Sequence, residues 1–108
     1  MSSSYVEEDI IDLVGDILRS EVEFEEVQIK VNKMISTAHF NNLKEYILRF
    51  TKSYRVHNRK YKDNNTTIIY YEFILNSGEQ IIISVIHEWG SYVMLIKDIR
   101  VKALNKGE

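Results

Sequence analysis

Ile68-Ile-Tyr-Tyr-Glu-Phe-Ile-Leu-Asn-Ser-Gly-Glu-Gln-Ile-Ile-Ile-Ser-Val-Ile86 is the stretch on which the fold turns. Ile69, Tyr71, Phe73 and Leu75 alternate with their neighbours, Ile81, Ile83 and Val85 do the same, and Asn76-Ser-Gly78 stands between the two runs. Period-two alternation of β-branched and aromatic residues on both sides of an Asn/Gly turn predicts an antiparallel hairpin. The opposite face is apolar as well, with Ile68, Tyr70 and Ile74 on one strand and Ile82 and Ile86 on the other. A one-sided antiparallel sheet alternates apolar with polar, so both faces of this one are expected to be covered.

Towards the C-terminus, Glu88-Trp-Gly-Ser91 supplies a second turn, and Val93, Leu95, Ile99 and Val101 form a last long strand. Towards the N-terminus, the polar tip Lys62-Asp-Asn-Asn-Thr66 lets Tyr54–Tyr61 pair back as a further strand. Before it, Ser36 or Thr37 has the chemistry of an N-cap, followed by Phe40, Leu43, Ile47 and Phe50 at helical spacing. That helix is expected to end near Tyr54.

Residues 22–32 read two ways. Phe24, Val27, Val31, Met34, Ile35 and Ala38 make a helical stripe, with Glu26 and Lys30 as an i,i+4 pair. Val27-Gln-Ile-Lys-Val31 also alternates strictly, with a β-branched residue at each apolar position. The helix reading strands Ile29 on the wrong face, which favours a strand. Further upstream, Ser4-x-x-Glu7 has capping-box spacing. Val6, Ile10, Leu13, Val14, Ile17 and Leu18 behind it predict a helix over about 5–20.

These spans predict one domain over 1–108 of class α+β: N-terminal helices packed on a C-terminal antiparallel β-meander of three to four strands. Cover for the second sheet face would come from a homodimer or from the 22–38 segment wrapping across it. Composition fits an ordinary globular chain, with 44% hydrophobic and 28% charged residues. The absence of Cys excludes disulfides, thiol nucleophiles and zinc–thiolate sites. The first charges are acids, and the longest apolar run, Ile81–Ile86, is far below the roughly 20 residues of a membrane span. A cytoplasmic protein making no membrane contact is the expectation.

The net charge of −2 conceals a strong polarity. Residues 1–30 hold nine acids against Arg19 and Lys30, a net −7. Residues 31–62 hold eight bases against Glu45, a net +7. The basic third contains Lys44, Arg49, Lys52, Arg55, His57, Arg59, Lys60, Tyr61 and Lys62. Its densest part, Tyr54-Arg-Val-His-Asn-Arg-Lys-Tyr-Lys62, would as a strand put Arg55, His57, Arg59 and Tyr61 on one face. Lys and Arg neutralise phosphates while interleaved aromatics stack on unpaired bases. A non-catalytic, regulatory binding protein that engages nucleic acid through Lys44–Lys62 is therefore the leading expectation. The competing reading pairs this strip with the acidic N-terminal helix, in the same copy or another.

Three further readings are open. Residues 24–53 resemble a helix-turn-helix followed by a wing, although Lys30 and Lys33 stand where small or apolar residues would pack the helices. Trp89 and Tyr92, with Ile82 and Ile86 on the sheet and the acidic helix beside them, would suit a protein-binding inhibitor, immunity-type protein or adaptor. His57, Tyr61 and Arg59 could serve a metal-independent ribonuclease, joined by Arg55 and by His87 with Glu88 across adjacent strands. His39, His57 and His87 lack metal-ligand spacing, and the four glycines are isolated, so neither a metal nor another cofactor is expected.

Overall fold

The computed structural model describes residues 26–61 and 65–102. Within them the chain runs β1 (Glu26–Ser36), α1 (Thr37–Leu48), β2 (Thr51–Lys60), β3 (Thr66–Leu75), β4 (Gln80–Glu88) and β5 (Val93–Lys102). All five strands join one antiparallel sheet in the order β1-β5-β4-β3-β2. This overturns the expected arrangement of N-terminal helices on a C-terminal meander of three to four strands. The described chain is mostly sheet, and its single helix lies between the first two strands. The expected helix over 5–20 lies outside the described residues.

The correction begins at Val27–Val31. Val27 pairs with Val101 and Ile29 with Ile99, so the β-branched alternation is satisfied by a ladder with β5. The i,i+3/i+4 stripe through the same residues is a coincidence of spacing, and it goes unused. With Glu26–Ser36 extended, neither a helix-turn-helix over 24–53 nor a 22–38 segment wrapped across the sheet is possible. Both readings are excluded by the same strand.

Ser36 ends β1 and caps α1: its Oγ accepts the His39 N–H at 3.1 Å. Phe40, Leu43 and Ile47 are buried, as their spacing demands. The helix stops at Leu48, earlier than its periodicity suggests. The Phe50 N–H and the Thr51 hydroxyl both donate to the Ile47 carbonyl, at 2.9 and 2.8 Å. Phe50 is consequently exposed, edge-on to Tyr46 at 5.7 Å between centroids.

The helix connects the two edge strands. Twelve residues give about 18 Å, against about 19 Å for four inter-strand spacings. One short helix is therefore long enough to cover one face. Phe40, Leu43 and Ile47 close there over Phe73, Leu75, Ile81, Ile83, Val85, Ile96, Ile99 and Val101. Among the described residues, no helix is long and apolar enough to cross a membrane.

The face away from α1 is mixed rather than apolar. Ile68, Ile82 and Ile86 share it with Tyr70, Glu72, Ser84, Asp98 and Arg100, as the paired positions Glu72–Ile82, Tyr70–Ser84, Ile82–Arg100 and Ser84–Asp98 show. Ile68, Tyr70, Ile82 and Ile86 do lie on this face, but Glu72, Ser84, Asp98 and Arg100 interleave with them, so the expected second apolar face is not what forms.

Candidate functional site

Two adjoining grooves mark the face away from the helix. One, of about 290 Å³, lies among Gln28, Lys30, Asn32, Lys97, Asp98 and Arg100. The second, of about 270 Å³, is bounded by His57, Glu72 and Ile82. Tyr70, Ser84 and Arg100 line both, so the two run together across four neighbouring strands and onto β1, the first mostly polar and the second mostly apolar.

A local irregularity shapes the first groove. Asp98 opposes Lys30 and Ser84, whereas the next pairs are Ile96 with Lys33 and with Val85. Lys97 is thus the extra residue against β4, and Asn32 takes the left-handed φ of +51° on the facing strand. Bulges re-aim side chains, and this one brings Lys97 to the groove beside Asp98. Asp98 Oδ2 accepts from Gln28 Nε2 at 3.1 Å. Its Oδ1 is buried without a hydrogen bond.

In the second groove, Glu72 is the hub. Its Oε1 lies 3.4 Å from His57 Nε2 and 3.6 Å from Arg55 Nε. Gln80 Nε2 donates to its other oxygen. One carboxylate is therefore shared between two basic side chains of β2.

The basic strip divides between surfaces. The β2 ladder places Arg55, His57 and Arg59 opposite Glu72, Tyr70 and Ile68, on the groove face. Tyr54, Val56, Asn58 and Lys60 alternate towards the helix side. Lys52 sits at a register shift between Thr51 and Ser53. Lys44 is on α1, with Nζ 5.5 Å from the Tyr71 ring centroid, and Arg49 is the helix C-cap. Tyr61 follows the last residue of the strand, and Lys62 lies outside the described residues. Lys44–Lys62 is thus not one continuous surface.

The residues considered for ribonuclease chemistry come together only in part. His57 and Arg59 share a face, but His87 pairs with Thr67 and so alternates to the other side of the sheet. His87 Nε2 is 2.9 Å from the Ser91 carbonyl, within its own turn. No group of three or more His, Asp or Glu residues that could hold a metal occurs among the described residues. The four residues considered for a protein interface also separate. Ile82 belongs to the second groove, Ile86 to a smaller one near Met34 and Leu95, and Trp89 and Tyr92 stand at the β4–β5 turn.

Lys30, Lys97 and Arg100 were missed because they are far from the basic run in sequence. Their one available signal was alternation: Arg100 falls between inward-facing Ile99 and Val101.

No protein-family model matches this chain, and no curated protein matches it. Solved structures do. The thermo- and acido-stable ORF-99 from the archaeal virus AFV1 superposes with a TM-score of 0.57 at 14% identity, covering 94% of this chain and 97% of that one. ORF14 from Sulfolobus islandicus filamentous virus gives 0.53 at 15% identity, over 90% and 82%. The likeness is one of fold: a small compact domain of mixed secondary structure, similar to archaeal viral proteins.

Proposed function

We propose that this chain is a non-catalytic binding protein whose partner is nucleic acid, held against the sheet face opposite the helix. One observation carries the reading. Strand alternation aligns Arg55, His57 and Arg59 along an edge strand, on the same face as the grooves lined by Lys30, Lys97 and Arg100. Those five fixed cations stand against the groove carboxylates Glu72 and Asp98, with Lys102 and Glu88 at the two ends of the same face. An array of this kind neutralises phosphates without reading bases, and its affinity falls steeply with salt.

The test is retention of a labelled oligonucleotide across a salt series. The reading expects binding at low salt that weakens on a log–log slope, and a shallower slope for Arg55→Ala/Arg59→Ala. No retention even at low salt would remove it.

A further inference from the structure

Three large exposed aromatic side chains belong to residues at one end of the sheet. Trp89 is 85% exposed and Tyr92 84% exposed, and Tyr61 is exposed at the same end. The Trp89 N–H donates to the Asn65 carbonyl at 2.7 Å, and the Tyr61 N–H donates to the Thr66 carbonyl at 2.9 Å. Trp89 and Tyr61 therefore flank the start of β3 from either side, about two strand spacings or roughly 10 Å apart.

The turn that presents Trp89 and Tyr92 is firmly held. The Ser91 N–H donates to the Glu88 carbonyl at 3.0 Å, and Gly90 has the φ of +83° that the third position of a type II turn requires. The Thr37 N–H donates to the Tyr92 carbonyl at 2.8 Å, tying the turn to the start of α1. The Ser91 hydroxyl donates to the Val93 carbonyl and accepts the Val93 N–H, at 3.0 and 3.1 Å. A rigid backbone thus holds two aromatic rings in water, where neither adds to the core. A cluster of this kind marks a binding surface.

Charge selects the occupant. Arg59 and Lys60 immediately precede Tyr61. The N-terminus of α1, with its partial positive charge, lies at the same end and carries no acid in its first turn. Among the described residues, Glu88 is the carboxylate at this end. A protein partner chosen by aromatics alone would not need the cations. Unpaired bases stack on exposed rings while their phosphates take up positive charge.

We infer that the exposed rings of Trp89 and Tyr92 form a stacking platform for unpaired bases, which makes the ligand single-stranded nucleic acid. This rests on the nucleic-acid reading above and narrows it.

Trp89 is the only tryptophan in the chain, so intrinsic emission reports this site alone. The experiment titrates a single-stranded oligo-dT, and a duplex of equal length, into the full chain at fixed salt. It follows tryptophan emission and, independently, retention of the label. Expected are quenching that saturates together with retention, and single-strand affinity at least about tenfold above duplex. Trp89→Ala should weaken single-strand retention about tenfold or more and leave duplex retention unchanged, while Trp89→Phe restores most of it. Equal retention of both nucleic acids with unmoved emission would overturn the platform and leave the cationic face standing. No retention of either would overturn both readings. An emission shift that depends on protein concentration without oligonucleotide, accompanied by dimer in sedimentation, would assign the aromatic end to contact between copies and overturn the platform.

Discussion

Glu72 and Arg55 stand opposite each other in the β2–β3 ladder, and the carboxylate oxygen 3.6 Å from Arg55 Nε also lies 3.4 Å from His57 Nε2. This single acid tempers the most basic strand of the molecule. Arg55 is well exposed, so the pair adds only about 0–1 kcal/mol to stability.

Its larger effect is on ligand. Glu72→Gln keeps the shape and removes one negative charge from the groove face. Oligonucleotide affinity at low salt is expected to rise by about two- to fivefold, with the gain vanishing at high salt. Titrations of wild type and variant at two ionic strengths check this; unchanged or weaker binding by the variant counts against the groove face.

Phe73 is fully buried under the helix and packs on Tyr54 with ring centroids 5.1 Å apart. Phe73→Ala should cost about 3–5 kcal/mol, the range for emptying a large core site. That is a large fraction of a small domain's total stability. A chemical denaturation midpoint lowered to match, with an unchanged slope, is the expected result.

Burial holds the phenols of Tyr71 and Tyr54 above their ordinary value of 10.0, and the neighbouring Tyr54 charge raises Tyr71 further. Between that ordinary value and the raised one, the folded chain binds more protons than the unfolded chain. Stability from these groups is therefore complete below about pH 10 and is lost as pH rises beyond it. Urea midpoints should fall above about pH 10 in wild type, and less steeply in Tyr71→Phe.

Gly78 and Gly90 have positive φ, at +106° and +83°. A Cβ at Gly90 would meet nothing within 4 Å, so Gly90→Ala costs only the backbone strain of about 1–2 kcal/mol. Thermal denaturation measures that loss. Because the same turn orients Trp89, the variant is also expected to bind single strands more weakly than wild type, whereas Gly78→Ala, at the far end of the sheet, should lose stability alone.

Much of the local structure was legible in the residues. The 68–86 hairpin, both glycine turns and the Phe40/Leu43/Ile47 stripe follow from period and turn chemistry, because each depends on residues only a few positions apart. Helix length was less legible, since the apolar spacing runs on to Phe50 while the competing pull of the β2–β3 ladder is invisible in a local window. The candidate site was legible only as a charged strand.

Alternation alone placed Arg55, His57 and Arg59 on one side of β2, and composition alone excluded thiol chemistry. Three things belonged to the tertiary structure. It decided that Val27–Val31 is a strand, because β5 offered a ladder more than 60 residues away. It split Lys44 and Arg49 from the β2 cations and supplied Lys30, Lys97 and Arg100 in their place. It also brought Trp89 and Tyr61 to the same end of the sheet, through backbone hydrogen bonds on either side of β3. The physical reason is common to all three: period and propensity act between near neighbours, whereas register and face pairing are chosen by the whole sheet.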